Sequence, residues 1–266
     1  IMTIKTLSPK QTEFILIGAT GKLGKSITEN NVITYGICSK KNPLVGKKID
    51  HIKKPLLSSF EEINLEKVSN SIVIDASYPE NFDRIHEFCL KNKIPLILAS
   101  TGHSDNHFKK LEILSKNVPV LKAPNLSEGI AFFKSHILKP IILNINAKTS
   151  VPESENSVKT ASDLKIKIIE THHDQKKDAP SGTALDIKNY ISKGLVNFNE
   201  EIKIESIRDK SSIGKHEVTF TFQNEEILVS HNALSRNIFA QGISLAESII
   251  GKKPGIYSMV DLIEDF

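Results

Sequence analysis

Cysteine, tryptophan and arginine are scarce in this chain of 266 residues. It has two cysteines and no tryptophan, and only three of its 35 basic residues are arginines. Cys38 and Cys89 both lie in apolar runs, as buried free thiols do. This usage favours a reducing compartment over a disulfide framework, so we expect a cytoplasmic protein.

Long apolar runs and basic stripes are also missing. No segment approaches the ~20 apolar residues of a membrane span, and the first residues lack the pattern of a secretory signal. The formal net charge of +4 comes from scattered lysines, which argues against nucleic acid as a partner. No Cys, His and carboxylate residues stand at metal-ligand spacing. We therefore expect no membrane, no nucleic acid and no metal.

A glycine pattern follows the first apolar segment. Residues 13–18 form a continuous apolar run typical of a buried parallel strand. Gly18, Gly21 and Gly24 then follow at the spacing G-x-x-G-x-x-G, before a short helix. This is a variant of the dinucleotide fingerprint, in which small residues let the backbone approach a pyrophosphate. A tight turn with no ligand remains an open alternative.

The second predicted strand ends at a hydroxyl and two cations, Ser39, Lys40 and Lys41. An NAD-preferring site has an acidic residue there, to bind the ribose hydroxyls. Two lysines fit the 2′-phosphate of NADP better, so NADPH is favoured over NADH. Solvated loop lysines are the alternative.

The order of elements predicts an α/β fold with a second domain. Up to about residue 126, strands alternate with helices, which predicts a Rossmann-like doubly wound parallel sheet. Between about 201 and 231, period-two strands follow one another without a helix, which predicts an α+β domain with a mixed or antiparallel sheet. A helix is expected over 58–69 and another over 130–143, with a polar loop over 144–163.

The segment from Glu170 to Ala184 concentrates titratable groups beside a helix start. It contains His172, His173 and Lys176, and then Pro180 before an apolar helical pattern. Free N–H groups at a helix N-terminus favour anions, so a small acidic substrate is indicated. The alternatives are one packed and one solvated imidazole, and a surface lysine. Asp178 is interpreted as an N-cap-like residue.

Glu170-x-His-His-x-x-Lys-x-Asp-Ala-Pro-Ser-Gly-Thr-Ala184 resembles the signature of the 4-hydroxy-tetrahydrodipicolinate reductase family, also called dihydrodipicolinate reductase. Motifs along nearly the whole chain agree with that family in order and spacing. They are Ile17–Gly24, Ile74–Pro79, Ala99–Gly102, Ala123–Ser127, Gly214–Val218, Ser235–Arg236 and Phe239–Gly242.

The resemblance implies NADPH- or NADH-dependent reduction of a cyclic dicarboxylate in diaminopimelate and lysine biosynthesis. It implies a dinucleotide-binding domain of residues 1–126 with 237–266. Residues 127–236 would bind the substrate and build a homotetramer.

By position, the resemblance implies a role for each matching site residue. His172 would be the proton donor and acceptor, Lys176 the second catalytic residue, and His173 a substrate contact. Gly182 and Thr183 would hold a substrate carboxylate. The implied cofactor contacts are Gly18, Ala19, Thr20, Gly21, Lys22, Leu23, Lys40, Ala99, Ser100, Thr101, Ala123, Pro124, Asn125 and Leu126.

Some positions depart from the family pattern. Ala99-Ser100 stands for Gly-Thr, Asp209 follows the matching Arg208 in place of glycine, and Lys22 stands for arginine. None of these changes removes a proposed catalytic group. Two rival functions remain, namely another two-domain NAD(P)-dependent dehydrogenase, and a module that senses NADP without turnover.

Overall fold

A computed structural model describes residues 12–64, 70–149 and 164–264. The chain divides into two compact units. One unit takes in the described residues up to Leu126 together with Phe239–Leu262, and the other takes in the described residues of 127–238 together with Ile263 and Glu264.

The described residues form strands and helices in both units. The strands are β1 (Glu13–Ile17), β2 (Tyr35–Ile37), β3 (Ser71–Asp75), β4 (Leu96–Leu98), β5 (Pro119–Lys122), β6 (Lys165–His173), β7 (Lys203–Asp209), β8 (Gly214–Thr221), β9 (Glu226–Ala233) and β10 (Gly255–Tyr257). The α-helices are α1 (Lys22–Asn30), α2 (Phe82–Asn92), α3 (Asp105–Ser115), α4 (Glu128–Phe132), α5 (Lys139–Thr149), α6 (Gly182–Gly194), α7 (Asn237–Ala246) and α8 (Met259–Glu264).

The first unit contains a six-stranded parallel sheet in the order β10-β5-β4-β3-β1-β2. Its central strands are continuous apolar runs, and side chains such as Ile15, Leu16 and Val73 are fully buried. Strands of this kind are covered on both faces. The predicted Rossmann-like sheet is therefore confirmed.

Two local predictions in this unit need correction. A helix was expected over 58–69, but the described residues 58–64 contain a short 3₁₀ turn, Phe60–Glu62, in its place. The Glu62 carboxylate accepts hydrogen bonds from the backbone N–H groups of Ser58 and Ser59, which stabilises this turn start; residues 65–69 lie outside the described part. Strand β10 was missed because it has only three residues and lies at a sheet edge.

The second unit contains a four-stranded mixed sheet in the order β7-β6-β8-β9. β7 is parallel to β6, whereas β6, β8 and β9 are antiparallel neighbours. One face of β6 carries Ile166 and Ile168, which share a buried apolar cluster with Ile187 and Ile191 of α6. The predicted mixed sheet is confirmed.

The helix that was predicted to end near residue 143 is longer. α4 passes through a π-helical turn, Phe133–Leu138, into α5, which runs to Thr149. Proline is tolerated near such a change of helical pitch, because it has no N–H to pair, so Pro140 does not end the helix. The first part of the expected polar loop is thus helical, and residues 150–163 lie outside the described part. No helix of the described ranges is long and apolar enough to cross a membrane.

Candidate active site

A buried carboxylate and imidazole lie together at the end of β6. Because successive strand residues face opposite sides of a sheet, Glu170 and His172 share one face and His173 lies on the other. Glu170 is 0% exposed and His172 is 8% exposed. Nδ1 of His172 is hydrogen-bonded to Oε2 of Glu170. The two residues form a buried pair.

The other oxygen of Glu170 binds two further donors. Oε1 accepts from Nη2 of Arg208 at 2.9 Å and from the backbone N–H of Ser181 at 3.3 Å. Burial by itself raises the pKa of Glu170, but hydrogen bonds from Arg208, Ser206 and His172 outweigh burial and leave that pKa below its ordinary value. Glu170 is therefore an ionised carboxylate at neutral pH.

His172 is neutral at the same pH. Burial lowers its pKa, and the nearby charges of Lys176 and Arg208 lower it further, while Glu170 offsets only part of this effect. With Nδ1–H donated to the carboxylate, Nε2 carries the lone pair. A Cβ placed on Gly214 would lie 3.0 Å from that Nε2, so glycine at this position leaves room for the ring.

The start of α6 lies beside this pair. Ser181 is the N-cap, and its Oγ accepts from the N–H of Ala184 at 3.2 Å. The predicted carboxylate ligands Gly182 and Thr183 are the first two residues of the helix. Apart from its chain neighbours and the backbone of its own helix, no heavy atom of the described residues lies within 4 Å of the place where a Cβ of Gly182 would be. The first turn is therefore open to a small anion, which helix N-termini favour.

A second buried imidazole contacts the same helix start. Nε2 of His216 is 3.3 Å from Oγ of Ser181, and its ring packs edge-on against His172 with centroids 5.2 Å apart. Burial lowers the pKa of His216 to about 3, so this ring is neutral. The sequence alone does not place His216 beside Ser181, because this contact depends on pairing between β8 and β6.

His173 is the last residue of β6, and Lys176 follows on the loop after it. Nζ of Lys176 donates to both carboxylate oxygens of Asp178 at 2.8 Å. Nε2 of His173 is 3.0 Å from Nη2 of Arg236. The interpretation of Asp178 as N-cap-like is wrong, because Ser181 caps α6. Asp178 instead holds the ammonium group that the resemblance makes catalytic.

In the first unit, a cleft of about 1070 Å³ lies at the carboxyl ends of β1, β2 and β3. Gly18 has a φ of +82°, which glycine adopts without strain. A Cβ on Gly24 would be 2.2 Å from the carbonyl oxygen of Gly18, so the turn closes only with glycine there. The predicted cofactor residues that line this cleft are Gly18, Thr20, Gly21, Lys22 and Lys40.

The cleft has the groups that a dinucleotide requires. The N-cap of α1 is Gly21, which has no side chain to cap the first turn, and N–H groups at such a helix start favour a pyrophosphate. Lys40, Lys41 and Arg84 line the cleft and give it positive charge. Arg84 was not predicted as a site residue, because a basic side chain on an amphipathic helix gives no signal of its own.

The remaining predicted cofactor residues lie at or near the same edge of the sheet. Ala19 and Leu23 belong to the turn and helix after β1, Ala99–Thr101 follow β4, and Ala123–Leu126 follow β5. Oγ of Ser100 donates to the buried carboxylate of Asp75 at 2.5 Å and is 2.8 Å from Nε2 of His103. Parallel strands present such residues together at their carboxyl ends.

Comparisons with known proteins agree along the chain. The family profile described as dihydrodipicolinate reductase, N-terminus, matches residues 12–126, and the corresponding C-terminus profile matches residues 153–263. A 4-hydroxy-tetrahydrodipicolinate reductase of Clostridium novyi is 35% identical over 270 residues, covering 95% of this chain and 98% of its own. One of Caldanaerobacter subterraneus is 32% identical over 272 residues, covering 94% and 97%.

The fold agrees as well. Dipicolinate-bound dihydrodipicolinate reductase from Paenisporosarcina has a similar structure, with a TM-score of 0.70 and 20% identity, covering 95% of this chain and 100% of that one. Myo-inositol 2-dehydrogenase from Lactobacillus plantarum has a TM-score of 0.55 and 8% identity, covering 94% and 93%.

Proposed function

Because the chain belongs to the dihydrodipicolinate reductase family, we propose that it reduces 4-hydroxy-tetrahydrodipicolinate to tetrahydrodipicolinate with NAD(P)H. This reaction lies on the route to diaminopimelate and lysine. The observation that carries the proposal is the buried pair of Glu170 and His172 next to the open first turn of α6. A solved relative binds dipicolinate, which is a ring with two carboxylates.

The second unit provides the groups for a doubly acidic ring. The N–H groups of Gly182 and Thr183 and the hydroxyl of Thr183 would bind one carboxylate, as amides at a helix start do. The ammonium group of Lys176 would leave Asp178 and bind the ring at another point. The imidazole of His173 would also bind there. Several fixed donors hold a small substrate in one register, which aligns it for reaction.

His172 is the proposed proton donor and acceptor. When bound, the reduced nicotinamide supplies the hydride. Hydride addition to a conjugated imine leaves negative charge on the ring, and a positioned acid must protonate it. Because His172 is neutral in the free site, it would first take up a proton from water at Nε2, and the ionised Glu170 behind Nδ1 would stabilise the imidazolium until that proton passes to the substrate ring. Lys176 adds positive charge where negative charge develops.

The first unit is the proposed cofactor domain, with NADPH favoured over NADH. The cleft at the ends of β1–β3 would hold the adenosine side of the cofactor, with the pyrophosphate at the start of α1. Lys40 and Lys41, with Arg84 nearby, fit a 2′-phosphate better than free ribose hydroxyls.

We further propose a cytoplasmic homotetramer. The two cysteines are buried free thiols, as in a reducing compartment. β9 lies at an edge of its sheet, where Leu228 is 55% exposed, and Leu234 just after it is 83% exposed. An open strand edge beside exposed apolar side chains favours association. Light scattering of the wild type and of Leu228→Lys tests this surface. A tetramer that dissociates in the variant supports it, and a wild-type monomer contradicts it.

The assay that tests the function follows the decay of absorbance at 340 nm. The substrate is made in place by the preceding synthase, and NADPH and NADH are supplied in turn. We expect turnover that depends on the synthase product and is faster at low NADPH than at low NADH. Tight NADPH binding without turnover would favour the sensing module. Turnover of a semialdehyde substrate alone would favour the other class of dehydrogenase.

A further inference from the structure

Glu170 lies at the centre of a hydrogen-bond network that joins three parts of the second unit. Its carboxylate is 0% exposed and accepts from His172 on β6, from Arg208 on β7, and from the backbone of Ser181 before α6. A buried charge requires such compensation, since an unpaired one is strongly destabilising. The fold thus retains a charged group in its interior at a point of contact with His172.

The first consequence concerns the imidazole. An ionised carboxylate only accepts hydrogen bonds, so the neutral ring of His172 must carry its proton on Nδ1. Nε2 then has the lone pair, and the orientation of the ring is fixed by the bond behind it. The hydrogen bond that one ring nitrogen makes determines both the tautomer and the orientation of a histidine.

The second consequence concerns the distance between two parts of the proposed site. Oε1 of Glu170 accepts from the N–H of Ser181 at 3.3 Å, and Oγ of Ser181 accepts from Ala184 in the first turn of α6. One carboxylate therefore holds both His172 and the helix start. A proton donor and an anion-binding turn must keep a fixed separation if they act on the same small ring.

We propose that Glu170 is a positioning residue for the reductase reaction. It holds His172 in the Nδ1–H tautomer and fixes the imidazole relative to the first turn of α6. The proposal rests on the function proposed above. The alternative to exclude is a purely structural role. In that case Glu170 would only hold Arg208, which donates to the backbone carbonyl oxygen of Asp178 at 2.7 Å and so joins β7 to that loop.

Glu170→Gln keeps the size of the side chain but adds an N–H₂ donor beside Nδ1. The amide favours the opposite tautomer, with the proton on Nε2. We expect kcat, measured from the decay of absorbance at 340 nm, to fall by roughly 100-fold, which is the size of a general acid–base contribution. The KM for NADPH should change by less than about threefold. The pH midpoint of kcat should move to lower pH, because the carboxylate that raises the pKa of His172 is gone.

Glu205→Gln is the matched control. Glu205 of β7 is aligned with Ile169 of β6, so its side chain lies on the face of the sheet opposite to Glu170. Its carboxylate forms a salt bridge with the ammonium group of Lys167 at 2.6 Å. This variant makes the same chemical change one strand away, so kcat and its pH profile should equal those of the wild type. If Glu170→Gln shares that behaviour, with kcat within about threefold of wild type, the positioning role is refuted.

A spectroscopic measurement on the wild type does not depend on turnover or on the folding of a variant. The ¹⁵N shifts of the His172 ring, assigned with His172→Gln, report the tautomer at neutral pH. We expect protonated Nδ1 and bare Nε2, and the opposite tautomer would overturn the proposal. If the wild type shows the expected tautomer but is inactive, the reductase function is refuted. The orientation of His172 by Glu170 would then stand, and only its link to that reaction would fail.

Discussion

Gly242 of α7 lies against the backbone of Leu126, so that a Cβ at residue 242 would be 1.7 Å from the carbonyl oxygen of Leu126. Both residues belong to the first unit. Leu126 ends the predicted cofactor segment that follows β5. Because Gly242 has no side chain, α7 can lie directly against the segment that ends at Leu126, which is distant in sequence.

Gly242→Ala should destabilise the protein and displace Leu126. Because backbone atoms cannot give way cheaply, we expect the free energy of unfolding to fall by about 1–3 kcal/mol, with weaker NADPH binding. Urea unfolding and cofactor titration measure the two effects. Gly251→Ala is the control, since beyond the adjacent backbone no heavy atom in the described part of the chain lies within 4 Å of its added Cβ. Equal stability of the two variants would contradict the packing argument.

The pair Lys40 and Lys41 should select the cofactor. Replacing both with Glu removes two cations and adds carboxylates suited to ribose hydroxyls. We expect the Kd for NADPH to rise by about tenfold or more, and that for NADH to change by less than about threefold. Fluorescence titration of each cofactor measures both values. Lys47→Glu with Lys48→Glu is a charge-matched control outside the residues that line the cleft. A similar loss for NADPH and NADH would refute the 2′-phosphate assignment.

His216 should make stability depend on pH. Burial lowers its pKa from 6.5 to about 3 in the folded chain, so between these values the unfolded chain binds the extra proton. Stability therefore rises with pH across this window and falls on acidification, by up to about 1.4 kcal/mol per pH unit. Urea unfolding at pH 7 and pH 5 should show a smaller loss for His216→Gln than for the wild type. An identical loss in both proteins would show that His216 titrates normally.

The predictions that held from sequence were those determined by local geometry. The turn at Gly18 depends on residues within six positions, and α6 begins within the segment that was predicted to open a helix, although Asp178 was wrongly taken as its cap. These features follow from spacing alone.

The features that sequence missed depend on contacts between distant segments. Arg208 reaches Glu170 only because β7 pairs with β6 in parallel, and His216 reaches Ser181 only through β8. The helical residues 144–149 were mistaken for the start of a loop because their composition is polar. Arg84 enters the cofactor cleft only when α2 packs beside β3.

The assignment of His172 is the central claim, and paired measurements on His172→Gln test it most directly. Initial rates at 340 nm are compared with NADPH affinity by fluorescence for the wild type, His172→Gln, Lys176→Gln and the control Lys177→Gln. We expect kcat to fall by about 100-fold or more in the His172 and Lys176 variants, with NADPH affinity retained and Lys177→Gln close to wild type. Unchanged turnover in His172→Gln would contradict the account.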